Sequence, residues 1–301
     1  MKFSRILLLA FFFSFALVSC EKDEEQETPS PTPPAATGPK LIFKFQFDEN
    51  QVRLDNLGNA STVPAGHAAQ TPVFHKIGAH YLEMTNGPLV PLGGGEILYT
   101  APETTAGGAT AIDFSQEVIV SEGETFFEIP LSQITPDSYQ WMRVSLAYQN
   151  YDIDFRYETL DLTGRLASFV GYNTYIGSYT IQSANVDVNG NRLQGYWGLE
   201  VATPFGVNTQ SGQSPAGATT VPNPLSATSP IPTGSCVVTG AFAQPLVITG
   251  NETEDIVITL SLSSNQSFEW IDGNGNGIFE PALPETVVDM GLRGLIPIVG
   301  N

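Results

Sequence analysis

Ile256-Val257-Ile258-Thr259-Leu260-Ser261-Leu262-Ser263 sets Ile256, Ile258, Leu260 and Leu262 against Val257, Thr259, Ser261 and Ser263. Successive side chains of a strand point to opposite faces, so this period of two describes a strand with one face in a core. Phe43, Phe45 and Phe47, alternating with Lys44, Gln46 and Asp48, repeat the pattern far upstream. Between these two stretches, short alternating or aromatic-rich runs predict strands over residues 73–84, 96–100, 117–120, 125–131, 141–148, 165–171 and 174–182. Residues 184–188 and 193–201 bracket Asn189-Gly190 and are expected to form a hairpin across a type I′ turn. No window carries a sustained helical stripe, and only residues 131–139 suggest a short helical turn. The fold expected is all-β: a β-sandwich or irregular barrel of mostly antiparallel strands. One long Pro-rich, uncharged loop is expected over about 203–234.

The composition suits such a body. Hydrophobic residues make up 42% and charged residues only 14%, which supports a real core and argues against disorder. The formal net charge of −19 makes nucleic acid an unfavourable partner. Glycine (29) and proline (22) are frequent enough to punctuate many turns.

The N-terminus is organised differently. Lys2 and Arg5 precede an apolar run from Ile6 to Val18 that is too short to span a bilayer, and Leu17-Val18-Ser19-Cys20 closes it. This tetrapeptide resembles the lipobox of bacterial lipoproteins. The resemblance implies cleavage after Ser19, lipidation of the Cys20 thiol and attachment to a membrane through that lipid; an ordinary secretory signal is the alternative. Glu21-Lys22-Asp23-Glu24-Glu25-Gln26-Glu27 follows and is similar to the acidic export signal of surface-exposed lipoproteins of the Bacteroidota, although a solvated spacer has the same composition. Residues 28–39, TPSPTPPAATGP, read as an extended polyproline II leash. The expected organisation is therefore a signal peptide over 1–19, a lipidated tether over 20–39 and an all-β body over 40–301. That body is one domain, or two sub-domains split near 203–234. The resemblance implies an uncharacterised lipoprotein family of the outer membrane, facing the medium or, alternatively, the periplasm. With Cys20 lipidated, Cys236 has no intrachain disulfide partner, and its setting in Ser235-Cys236-Val237-Val238 reads as a small buried hydrophobe.

Residues 272–277 are Asp-Gly-Asn-Gly-Asn-Gly, followed by Ile278, Phe279 and Glu280. Oxygen side chains at alternate positions with a glycine at the sixth match the first half of an EF-hand-like calcium loop, because Ca²⁺ gathers six to eight oxygens around a sharply turning backbone. Asp272, Asn274 and Asn276 are the candidate side-chain ligands and the Ile278 carbonyl a further one. The twelfth position is Leu283, so closure would fall to Glu280, Glu285 or Asp289. The competing reading is a tight turn built on the two Asn-Gly pairs. Asp187-Val188-Asn189-Gly190-Asn191 begins in the same way, but Arg192 stands where the glycine belongs, so the hairpin is preferred there.

His67, His75 and His80 are the only histidines and fall in one segment, which suggests a copper or zinc site. On a regular strand His75 and His80 face opposite sides, and a bulge near Gly78 would be needed to realign them, so core-edge or surface histidines are the preferred reading. The order of an early strand, this aromatic segment and a later paired-strand region distantly resembles MbnP-like periplasmic copper proteins, which implies copper at these histidines.

No catalytic signature is present. Gly212-Gln213-Ser214-Pro215-Ala216-Gly217 misses the Gly-x-Ser-x-Gly elbow by one residue, and neither Gly93-Gly94-Gly95 nor Gly107-Gly108 continues into a phosphate-loop motif. Tyr172, Tyr175, Tyr179, Tyr196 and Trp197 have the chemistry to stack on sugar rings, but core or edge packing in a sandwich is the preferred reading. The function expected is a membrane-anchored binding or structural module that is not an enzyme, with a glycan or protein partner. A carbohydrate-active component of a surface uptake system and a periplasmic copper or zinc binder are the alternatives.

Overall fold

A computed structural model describes residues 38–54, 59–171, 174–218 and 236–300. Cys20, the signal segment, the tether through residue 37 and residues 219–234 of the expected loop lie outside the described residues. Thr37–Asn301 form one unit. In chain order the strands are β1 Lys40–Asp48, β2 His67–Gln70, β3 Val73–Thr85, β4 Glu96–Thr100, β5 Glu103–Thr104, β6 Ala111–Asp113, β7 Thr125–Pro130, β8 Asp137–Tyr157 and β9 Leu160–Phe169. They continue as β10 Thr174–Thr180, β11 Asn185–Arg192, β12 Tyr196–Thr203, β13 Gly206–Gln213, β14 Cys236–Ile248, β15 Ile256–Ser263, β16 Phe268–Ile271, β17 Thr286–Met290 and β18 Arg293–Gly300. Two 3₁₀ turns, Phe114–Gln116 and Leu131–Gln133, are the helical pieces among the described residues, and the fold is all-β.

The largest sheet is a curled half-barrel in the order β13-β12-β9-β8-β3-β4, with β14 also on β8. Its axis is β8, which pairs with β3 along one edge and with β14 and then β9 along the other. Ala147 has no place in the register, which steps from Gly78↔Tyr148 to Ala79↔Leu146. The buried apolar positions of β8 accordingly change parity, from Met142, Val144 and Leu146 before the bulge to Tyr151, Ile153 and Phe155 after it. The bulge keeps one inner face continuous while the strand bends: Leu146 packs with Leu292, and the Gln149 side-chain oxygen accepts the Leu292 N–H at 2.9 Å.

Three smaller sheets complete the body. The sheet β18-β15-β1-β7 faces the half-barrel across the main core, where Leu41, Phe43 and Phe45 meet Ile258, Leu260 and Leu262, all fully buried. The two alternating stretches of the sequence thus lie side by side, and in parallel. The sheet β17-β16-β2 forms a second core with the far half of β8 and β9 through Phe268, Trp270 and Phe279. The sheet β11-β10-β6-β5 covers the other face, where Phe114, Tyr148, Phe169 and Tyr179 pack as tilted and edge-on rings.

Three expectations are corrected. Asn189-Gly190 does not turn the chain, because both residues lie inside β11 and Gly190 pairs with Ile176 of β10. The turn is at residues 181–184, where the Glu200 carboxylate accepts the N–H groups of Gln182, Ser183 and Ala184 at 2.8–2.9 Å; β12 leaves for the half-barrel instead. Residues 206–213 are not loop: they form β13, joined to β12 by a tight hairpin whose tip, Phe205, is fully exposed. Residues 117–120 are not a strand either. The Glu117 N–H closes the 3₁₀ turn onto Phe114, and only Val120 makes a bridge, to Ile77.

Candidate functional site

The 272–285 loop connects β16 to β17 and is shaped by its own side chains. Gly275 and Gly277 both take φ +72°, a conformation that residues with a Cβ rarely adopt. Their N–H groups donate to the two oxygens of Asp272 at 2.8 Å, Asn274 Oδ1 accepts the Asn276 N–H at 3.0 Å, and Asn276 Oδ1 accepts the Ile278 N–H at 2.8 Å. The carboxamide nitrogens of Asn274 and Asn276 both donate to Glu280 Oε2 at 2.7 Å. Glu285 closes the loop, its Oε2 accepting the Glu280 N–H at 2.7 Å. Glu285 Oε1 is buried without a hydrogen-bond partner. Burial, helped by the nearby Asp272 and Glu280, holds the Glu285 carboxyl above its ordinary range despite that N–H.

Asp272, Asn274, Asn276, Glu280 and Glu285 therefore share one loop. Asp289 does not join them, because its carboxylate is bound by Arg293 and Arg53 within β17 and the adjoining core. Among the described residues no three His, Cys, Asp or Glu side chains converge closely enough to hold a metal ion. The two asparagine amides supply the positive hydrogens that Glu280 faces. The donor set, hard oxygens around a turning backbone with one carboxylate oxygen orphaned, fits Ca²⁺ in kind.

The three histidines do not meet. The His67 Nδ1 is hydrogen-bonded to Glu269, whereas His75 Nε2 lies 2.9 Å from Asp152 Oδ2. Burial pushes the Asp152 carboxyl up, and hydrogen bonds from Arg165 and His75 outweigh it, leaving the group below its ordinary range. His80 is buried, and that burial lowers its pKa to about 4. A register shift does fall at Gly78, from Gly78↔Tyr148 to Ala79↔Leu146, and two more fall at the histidines, from Phe74↔Tyr151 to Lys76↔Asn150 and from Ala79↔Leu146 to Tyr81↔Ser145, yet the side chains are not brought together. His75 and His80 are the extra residues at the last two of these shifts, whereas His67 sits in register on β2 opposite Ile271.

The feature that sequence reasoning missed is a cavity of about 720 Å³ between the half-barrel and the β16–β17 sheet. Phe155 and Leu162 from β8 and β9, Trp197 and Leu199 from β12, and Phe268 and Phe279 from the opposite side form its apolar wall. Asn208 and Gln210, alternate residues of the edge strand β13, stand at its rim beside Val201 and Leu199, their cross-strand partners. The Trp197 ring lies against β13 at Gly212, where a Cβ would come within 2.9 Å of it. Among the described lining residues Glu285 is the one that is charged. The cavity opens to solvent along the exposed strand β13, so water or a ligand can enter it. No short motif marks it, since its wall is drawn from six strands and a loop. Of the aromatic candidates, Trp197 lines this cavity, Tyr179 is core and Tyr196 stacks on Phe169 beneath Arg192, while Tyr172 and the Tyr175 side chain lie outside what is described.

Loop 272–285 and cavity share residues. Phe279, Pro281 and Glu285 belong to both, and Phe279 also borders a second, more polar groove of about 460 Å³ with Asp154, Arg156 and Asp161. Ser214, from the near-miss elbow motif, lies in the cavity wall with its hydroxyl buried and without a hydrogen-bond partner among the described residues. No protein-family model, curated protein or solved structure matches this chain.

Proposed function

We propose that this protein is a lipid-anchored binding module at the outer-membrane surface, stabilised by Ca²⁺ in the 272–285 loop. The binding reading is carried by one observation, the cavity of about 720 Å³ walled by Phe155, Trp197 and Phe279, a volume in the range of small-molecule sites. The anchor is supported by Leu17-Val18-Ser19-Cys20 and the acidic run after it. Ca²⁺ is supported by the orphaned Glu285 oxygen in a loop whose other donors are Asp272, Asn274, Asn276, Glu280 and the Ile278 carbonyl. When bound, the ion would supply charge compensation to these carboxylates and tie β16 to β17.

Binding is tested with N-phenyl-1-naphthylamine, a neutral apolar dye that brightens in a dry site. Saturable uptake at one dye per chain supports the reading, and its absence removes it. Calcium is tested by melting: at a hundredfold excess over Kd the ion adds about 2.7 kcal/mol, or roughly 5–10 °C for a body of this size. Equal melting temperatures in EDTA and in millimolar Ca²⁺ would exclude it. Mass spectrometry of the native N-terminus, with protease shaving of intact cells, tests the acyl group and the side of the membrane.

A further inference from the structure

We infer that the cavity receives an uncharged amphiphile, an apolar body with a hydroxyl-bearing head group, and that Asn208 and Gln210 read the head. This rests on the binding reading above and adds the ligand class.

The wall decides the body of the ligand. Phe155, Leu162, Leu199 and Phe268 offer carbon surface and no hydrogen bonds, so water inside finds few partners and an apolar chain displaces it favourably. The rim decides the head. Among the described lining residues no lysine, arginine or histidine is present to neutralise an anion, and the only charged group, Glu285, repels one. Glu285 does not recruit a cation from the lumen either, because one oxygen accepts the Glu280 N–H and the other is buried out of reach of water. The exposed polar groups of the lining are neutral, among them the carboxamides of Asn208 and Gln210, two residues apart on one face of β13, with Gln213 and Thr286. A carboxamide both donates and accepts, which matches hydroxyl groups and discriminates against bare charge. The occupant is bounded by the volume to a small molecule, and the edge position of β13 leaves the head in solvent.

The test uses the chain from residue 20 onward with Cys20→Ser, which carries no acyl group and needs no detergent. Bound N-phenyl-1-naphthylamine is displaced by monodecanoylglycerol, decanoate or decylamine, three probes with similar tails and different heads. The expected result is displacement by monodecanoylglycerol at a concentration at least tenfold below the other two. The double variant Asn208→Ala/Gln210→Ala, at two exposed positions of β13, is expected to erase that preference. Leu199→Glu is expected to abolish dye uptake. Equal displacement by all three heads, tighter binding of decanoate or decylamine, or an undiminished preference in the double variant would overturn the inference while leaving a binding module in place. Failure of the dye to bind at all would remove both. If the cavity is closed by a second copy of the chain, dye uptake falls as protein concentration rises, and that also overturns it.

Discussion

The hydroxyl of Tyr151 donates a hydrogen bond to the carbonyl of Met290 at 2.6 Å, joining the middle of β8 to the end of β17 across 139 residues of chain. The phenol is fully buried, and burial raises its pKa far above the ordinary range, so it remains a donor at every accessible pH. The N–H of the same Met290 donates to the Ala218 carbonyl at 2.8 Å, so one peptide segment ties the half-barrel, the β17 edge and the chain beyond β13 into the wall of the cavity.

Tyr151→Phe removes the donor and strands the Met290 carbonyl without changing the shape of the ring. A loss of about 1–3 kcal/mol is expected, read as a lower urea midpoint at unchanged m-value.

Arg53, Glu269 and Asp289 form a buried ionic cluster, with side chains only 5%, 5% and 8% exposed, that pins the segment after β1 to β16 and β17. His67 and Arg293 bind the same two carboxylates from outside. Arg53→Met leaves both carboxylates short of a partner, and about 3–5 kcal/mol of stability should be lost. The double variant Arg53→Met/Glu269→Gln should recover part of it. A double variant that is no better than the single one would show that packing, and not charge, is what Arg53 supplies.

Glu117 is the clearest pH-dependent element. Both carboxyl oxygens are buried without partners, and burial alone pushes the pKa up to about 8. The native state therefore keeps a proton that the unfolded chain releases near its ordinary 4.5. Stability from this neutral carboxyl is complete below about 4.5, falls at up to ~1.4 kcal/mol per pH unit between the two values, and is gone above about 8. Glu117→Gln should flatten this slope and make the variant more stable than the parent at pH 9. Denaturation curves at pH 5, 7 and 9 check this, and parallel pH profiles for parent and variant would refute it.

Gly240 lies on β14 directly over β18, where a Cβ would overlap the Leu295 carbonyl oxygen. Gly240→Ala must push the two sheets apart or shift β14 along β8. A loss of about 1–3 kcal/mol is expected by analogy with overpacked cores, with melting as the readout; an alanine variant as stable as the parent would mean that β18 yields freely.

The sequence by itself determined the strand character of this chain. The alternation in residues 41–47 and 256–262 is a local property of a strand with one face against a core; β1 buries that parity at Leu41, Phe43 and Phe45, and β15 buries Ile258, Leu260 and Leu262, but also Ser261 and Ser263 beneath Gln51 on its other face. It also determined which side chains sit on the 272–285 loop, because ligand spacing along a single turn is local as well. Tertiary structure decided where turns fall and what meets across strands. Asn189-Gly190 has the composition of a turn, yet the amides of residues 182–184 turn on the carboxylate of Glu200, a partner no local pattern announces. His75 and His80 were separated by bulges that depend on the register of β3 against β8. The cavity, assembled from β8, β9, β12, β13, β16, β17 and Phe279, depends on how far the half-barrel curls, and curvature is set by sheet pairing across long sequence separations.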